Sequence, residues 1–468
     1  MKRYRFFIML IYLLAGCNFQ ESATDFTGFW EGPHPENKDK KFYIRLFLQN
    51  DSIQAKGYWT LHRFYSSEFE VKSVTVSNDS IRFYVPAWNC LYTGRISENQ
   101  IRGGFNCDGE PFDTVVLKKN DVIGTRLVEA KYGCSSAGYK YKYFAPPMLN
   151  DGIQSSFLKS KNDSAFINKI IAEIMKGEYG RINSFLMLKN NKLVCEEYFY
   201  GYTRNDLHQI ESSTKSITSL LTGIAFDKGL IANINEPLYT LFPEYPHLRT
   251  IKYRQITISN LLTMTSGFAV DDHQLFQSAN RIDYALKRKL TNEAGRVFAY
   301  DGGNTEILGA ILKKKTGSFA DAFAMENLFK PLGIHQYDWA LQNQQGFPCM
   351  SGTLRMLPRD LLKIGLLVLN HGTYQHKQVI SKHWIEESTS AKIATQIEDD
   401  KYAYHWWNIT IKSQQKGYNT IWANGLGSQF IYIFPALNVV IVTTGHNYEN
   451  DSWAITSGIA KYLYLLDN

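Results

Sequence analysis

The spacing of apolar residues changes period once along this chain, and that change limits the folds open to it. From Phe26 to about Lys119 apolar side chains recur at every second position in short runs. "KFYIRLFLQ" sets Phe42, Ile44, Leu46 and Leu48 on one side, and "EFEVKSVTVS", "SIRFYVP", "LYTGRIS" and "FDTVVLKK" follow, separated by turns such as Asn50-Asp51 and Asn78-Asp79. Alternate side chains of a strand share one face, so seven or so short strands with no helical period are expected. They would form a small all-β sandwich or barrel over residues 17–120. Residues 121–150, with Pro146-Pro147 and no clear period, read as a connecting segment.

From about 151 the period becomes helical. "SAFINKIIAEIMKG" places Phe166, Ile167, Ile170, Ile171, Ile174 and Met175 at helix spacing and stops at Gly177. "SFLMLKNNKLVCEEYFY" then reads as a hairpin about Asn190-Asn191, and "QFIYIFPALNVVIVTTG" as a second, before a closing helix "AITSGIAKYLYLL". Hairpins at both ends of a domain can share one antiparallel sheet, with the helical middle packed against it. The class is α+β over 151–468. At 468 residues, 44% hydrophobic and only 20% charged, the chain is long and apolar enough for two packed cores.

The N-terminus, "MKRYRFFIMLIYLLAGC", has a basic start, an apolar run too short to span a bilayer, and small residues before Cys17. Residues 1–16 read as an export signal. Leu14-Ala15-Gly16-Cys17 looks like a bacterial lipobox, which implies acylation of Cys17 and a bilayer anchor in the cell envelope, facing the periplasm or the exterior. Removing Lys2, Arg3 and Arg5 lowers the formal charge from +7 to +4, too slight and too evenly spread for a nucleic-acid surface. Five cysteines remain. None has metal spacing, so no metal and no cofactor are expected, and Cys90 and Cys107 could pair.

Ser-x-x-Lys occurs at Ser156/Lys159, Ser212/Lys215 and Ser413/Lys416. Only after Ser212 do Ile217, Leu220, Leu221, Ile224 and Ala225 mark a buried helix face, with Gly229 as its stop. A serine at a helix start lies beside free backbone N–H groups, where negative charge is stabilised. A lysine three residues on shares its face, and a buried amine that has lost its proton can accept the serine's. Ser156 and Ser413 sit in polar stretches without such a helix.

Residues 180–465 resemble the serine β-lactamase-like family, which includes class C β-lactamases, D-Ala-D-Ala peptidases, esterases and 6-aminohexanoate-dimer hydrolase. The resemblance runs in order through "IESSTKSITSLLTGIAFDKGLI", "ITISNLLTMTSGF", "FAYDGGNTEILGAILKKKTG", "SGTLRMLPRDLLKIGLLVLNHGTY" and "NGLGSQFIYIFPALNVVIV". It implies a β-lactamase-like antiparallel sheet flanked by helices, Ser212 as nucleophile, Lys215 as its activator and Tyr300 as the proton shuttle. The third motif looks like Asn424-Gly425, with the Leu426 N–H joining that of Ser212 as an oxyanion hole.

Two departures bear on substrate. The third residue of the usual Tyr-x-Asn is Gly302, with Asn304 as a substitute, and the third motif lacks its cation, Lys416 being placed in a loop nearby. An esterase or amidase acting as a monomer on a small-molecule ester or amide is therefore expected. The alternatives are a D-Ala-D-Ala peptidase or β-lactamase, or a non-catalytic surface-binding lipoprotein. Gly-x-Ser-x-Gly, His-Glu-x-x-His and Walker A patterns are absent, and His208 reads as structural.

Overall fold

The computed structural model describes residues 27–467 except 34–40, 50–51, 61–67, 78, 98, 108–109, 120–140, 142, 201, 340–345, 398 and 449–450. Cys17 and the export segment lie outside the described residues. The chain divides into two compact units, Met1–Thr125 and Arg126–Asn468.

In the first unit nine strands, from Gly28–Pro33 to Glu110–Lys119, form one antiparallel sheet. Numbered along the chain their order is 4-3-2-1-9-8-7-6-5, so the first strand pairs with the last, and the third and fifth approach each other to give a near-barrel. Its core is the alternating set Trp30, Phe42, Ile44, Leu46, Ile81, Phe83, Tyr92, Phe105 and Leu117. Full burial of such side chains contributes about 1.5–3 kcal/mol each. Leu48, on the same side by spacing, is 60% exposed at its strand's end.

Nine strands exceed the seven or so expected because Ser52–Thr60 and Gln100–Cys107 are strands with little apolar alternation. The run "EFEVKSVTVS" also divides into Glu68–Phe69 and Lys72–Ser77, with Ser73 in the left-handed region at a register shift. Cys90 and Cys107 stand opposite each other on paired strands and are joined by a disulfide. A loop of this length is tightened by about 3 kcal/mol in the chain-entropy account.

The second unit begins with helix α1 (Lys161–Met175), whose N-cap Ser160 accepts from the N–H groups of Asn162 and Asp163. Strands β1 (Ile182–Lys189) and β2 (Lys192–Tyr198) follow. Asn190 and Asn191 between them both have positive φ, the two-residue turn that matches the twist of a hairpin. Next come helices α2 (Thr214–Asp227), α3 (Gly302–Thr316) and α4 (Pro358–Leu369). Strands β3 (Trp407–Ser413), β4 (Lys416–Gly425), β5 (Gln429–Phe434) and β6 (Val439–Gly445) and helix α5 (Ala454–Tyr462) close the chain.

The antiparallel sheet runs β2-β1-β6-β5-β4-β3, extended by the short strands Lys401–Tyr402 and Ile393–Ala394. First and last hairpins thus meet at β1 and β6, with Met187 opposite Ile441. Strands β5 and β6 are buried along their whole length because helices cover both faces. Helix α4 lies on one, where a Cβ on Gly365 would stand 2.5 Å from Val440. Helix α5 lies on the other, its Thr456 bonded to Tyr432 at 2.6 Å. This is the β-lactamase-like α+β architecture. Among the described residues no helix is long and apolar enough to cross a membrane.

Candidate active site

Ser212 occupies a single 3-10 turn, Glu211–Ser213, that leads directly into α2. Lys215, one turn on, is buried to 4% exposure, and its Nζ donates to Ser212 Oγ at 2.9 Å and to the Ser351 carbonyl at 2.8 Å. The same nitrogen lies 4.9 Å from the centre of the Tyr300 ring. Tyr300 stacks on Trp407 and meets Tyr402 edge-on, at centroid distances of 5.7 and 6.2 Å. It precedes Asp301, the N-cap of α3, whose carboxylate takes a two-pronged bond from Arg288 at 2.7 and 2.8 Å. Residues 88 positions apart in the chain therefore meet because two helix N-termini converge, each locked by buried partners.

The opposite flank is made of backbone. Asn424 and Gly425 end β4, and Leu426–Ser428 turn into β5. A Cβ on Gly425 would stand 2.3 Å from the carbonyl oxygen of Ile210, so only glycine lets this strand close against the Ser212 turn. Ser213 Oγ donates to the Gln429 carbonyl at 2.8 Å across the same seam. The turn itself is pinned from behind: Gly427 N–H donates to Ser452 Oγ at 3.1 Å, Ser428 Oγ to the Ser452 carbonyl at 2.6 Å, and Asn447 Nδ2 to Ser428 Oγ at 2.9 Å. Leu426 is 49% exposed at the rim.

Several sequence expectations change here. Asn304 does not replace the missing amide: it is buried on α3, its Nδ2 directed at Met264 Sδ 3.6 Å away. Gly302 instead donates its N–H to Asp272 Oδ1 at 3.0 Å, and a Cβ at Gly302 would stand 3.0 Å from that oxygen. Asp272, from the short helix Asp272–Gln277, thus brings a carboxylate beside the position where the family's motif carries an amide. Lys416 is not in a loop. It begins β4, nine residues and roughly 30 Å of strand from Gly425, and is ion-paired with Asp467. Ser413 and Lys416 merely face each other across that hairpin, and Ser156 bridges to β2 through its N–H.

Sequence reasoning also missed Glu211, Glu306 and His405. Glu211 has a left-handed φ of 48°, uncommon outside glycine and concentrated at functional sites. Burial pushes its carboxyl up to about 7 against the pull of Gln209, which donates at 2.7 Å, and of Lys215. Glu306 is wholly buried and held by Ser351. His405 is kept neutral, its pKa lowered to about 3 by burial and then by the nearby Lys215 charge. The partners of Glu306 and His405 lie far away in sequence, so no local motif announces those two. His208 is buried with its ring tilted against that of Tyr202, 4.9 Å between centroids, and its pKa is lowered to about 3 by burial. Among the described residues no His, Cys, Asp and Glu cluster could hold a metal.

A buried amine on a half-buried hydroxyl, with a phenol ring against the amine and backbone opposite, is an arrangement able to move a proton from serine during acyl transfer. The model of the Beta-lactamase family matches residues 167–453, more than half of the chain. The chain belongs to the β-lactamase family. Among its relatives is the 6-aminohexanoate-dimer hydrolase of Paenarthrobacter ureafaciens, 22% identical over 289 residues, covering 56% of this chain and 71% of the relative. The monacolin J acid methylbutanoyltransferase of Aspergillus terreus is 26% identical over 161 residues, 29% of this chain and 38% of that one. In fold it is similar to a penicillin-binding protein homologue from Caulobacter crescentus, with a TM-score of 0.53 at 12% identity over 66% of this chain and 98% of that one. Family membership and the dimer-hydrolase relative support a hydrolase.

Proposed function

We propose that this protein is a serine hydrolase that cleaves neutral esters or amides through an acyl-enzyme on Ser212. The observation that carries the reading is the 2.9 Å bond between a buried Lys215 amine and Ser212 Oγ. In the acylation step Ser212 Oγ bonds to the substrate carbonyl carbon while its proton passes to Lys215 Nζ. The carbonyl oxygen becomes an oxyanion facing the N–H groups of Ser212 and Leu426. Collapse breaks the bond to the leaving group, which takes the proton by way of Lys215 and Tyr300. Water then repeats the sequence on the acyl-enzyme, and Ser212 regains its proton.

Charge near the site supports neutral substrates over penicillins and D-Ala-D-Ala termini. Asp301 occupies Arg288, and Lys416 stands at the far end of β4. The carboxylate of Asp272 lies where it would repel a substrate carboxylate. A charge-assisted hydrogen bond is worth roughly 1.5–3 kcal/mol, so its loss weakens binding of such substrates on the order of 10 to 100-fold. Short-chain p-nitrophenyl esters should be hydrolysed while nitrocefin turns over negligibly, and Ser212→Ala should abolish fluorophosphonate labelling. Wild-type labelling in Ser212→Ala, or rapid cephalosporin turnover with inert esters, would overturn the reading.

The sequence around Cys17 supports an envelope lipoprotein. Mass spectrometry of the membrane fraction should find an acylated N-terminal Cys17, and an unmodified chain starting elsewhere would refute the anchor.

A further inference from the structure

Helix α3 carries Tyr300 and Asp301 at its N-terminal edge and Glu306 deeper in, where the carboxylate is fully buried. A carboxylate in such a place must be satisfied by donors. Ser351 supplies two to Oε1, its Oγ–H at 2.5 Å and its N–H at 3.0 Å, and the Met350 N–H reaches Oε2 at 3.4 Å. The carbonyl of the same Ser351 accepts from Lys215 Nζ at 2.8 Å. One residue therefore joins the buried carboxylate to the amine. Lys215 stands between two acceptors, and the one that is not Ser212 is placed by Glu306.

We propose that Glu306 is a positioning residue for acyl transfer: by gripping Ser351 it sets the carbonyl that aims the Lys215 amine at Ser212. Helix α3 then aligns both proton-handling groups, Tyr300 directly and Lys215 through Ser351. The Met350–Ser351 segment has other ties, Thr218 Oγ1 to the Met350 carbonyl at 3.2 Å and Trp339 Nε1 to the Cys349 carbonyl at 2.8 Å. Release of Glu306 should therefore shift the carbonyl without unfolding the segment. What matters is reach, because the bonds to Ser351 are short and the carboxylate stands at the end of a two-methylene stem.

The test rests on the proposed ester hydrolysis and compares reach with charge. Glu306→Gln keeps an oxygen at the same distance and gives up the charge. Glu306→Asp keeps the charge and withdraws it by one methylene. With a short-chain p-nitrophenyl ester, the Gln variant should keep kcat within about threefold, while the Asp variant loses on the order of 10 to 100-fold in kcat at unchanged KM, as expected for a displaced catalytic group. Ser351→Ala, which keeps the backbone carbonyl and removes only the Oγ link, should lower kcat by an intermediate factor. It decides the matter if the Asp variant does not fold. Full kcat in Glu306→Asp and Ser351→Ala, an equal loss in the Gln and Asp variants, or a loss appearing mainly in KM would each overturn the proposal. Ser212→Ala in the same assay separates the two readings: an active Ser212→Ala refutes the serine mechanism, whereas a dead Ser212→Ala with unaffected Glu306 and Ser351 variants refutes only this role.

Discussion

The two flanks of Ser212 are built on opposite principles. On the helix flank, position is fixed by side chains: Lys215 between Ser212 and Ser351, Tyr300 against Trp407, Asp301 clasped by Arg288. Each depends on residue identity, and buried charge-assisted bonds of this kind hold a group tightly. On the strand flank, position is fixed by backbone: Gly425 has no side chain, and the turn beyond it is tethered through Gly427, Ser428, Asn447 and Ser452. The motif itself, Asn424-Gly425, contributes no charged side chain there. The lesson is that one half of such a site is held by side-chain chemistry and the other by backbone shape.

The strongest challenge to that comparison is Gly425→Ala. The added methyl would lie 2.3 Å from the Ile210 carbonyl oxygen and 3.1 Å from that of Gln429, both backbone atoms that cannot swing aside. Either β4 or the turn bearing Ser212 must move by a substantial fraction of an ångström. A displacement of about 1 Å at a reacting group can cost on the order of 10²-fold in rate. The expected result is a kcat for ester hydrolysis lowered about 100-fold, with the far-ultraviolet circular dichroism unchanged. Wild-type turnover in this variant would show that the strand flank tolerates side chains and that its shape is not what holds it.

The same division explains what could be read from sequence. The hairpin at Asn190-Asn191 was legible because its turn chemistry is local, and the alternation around Phe42 to Leu46 because strand faces repeat every two residues. Ser212, Lys215 and Tyr300 come together where short motifs at two helix starts suggest they should. Glu306 and Ser351, 45 positions apart, meet only through the packing of α3, which leaves no mark on local spacing. Asp272 was missed for the same reason, its partner Gly302 being 30 residues away. The strands Ser52–Thr60 and Gln100–Cys107 escaped because their polar and glycine positions dilute the alternation, and their pairing is set by neighbouring strands. Lys416 was misplaced because the strand opens with Lys416, Gly417 and Asn419, and Tyr418 alone is too little apolar signal to mark its start.

The smallest effect should come where the flanks touch. Glu211 precedes Ser212 on the helix side, and its Oε1 accepts from Tyr448 at 3.1 Å, a residue whose ring packs over Gly427 on the strand side. Its carboxyl titrates at about 7 in the folded protein against an ordinary 4.5. Between those values the folded chain keeps a proton that the unfolded chain has lost, so stability from this group declines as pH rises from about 4.5 to 7 and is constant outside that window. Ionisation also places a negative charge next to Ser212, opposing the oxyanion and so slowing attack. Glu211→Gln should therefore remove a step near pH 7 from the pH dependence of kcat and, from that of the thermal midpoint, the decline between about pH 4.5 and 7. It should leave the rate at pH 5.5 nearly unchanged and raise it at pH 8 by a small factor, roughly threefold. If the step persists in Glu211→Gln, another group titrates there, and the contact between the two flanks has no part in the pH dependence.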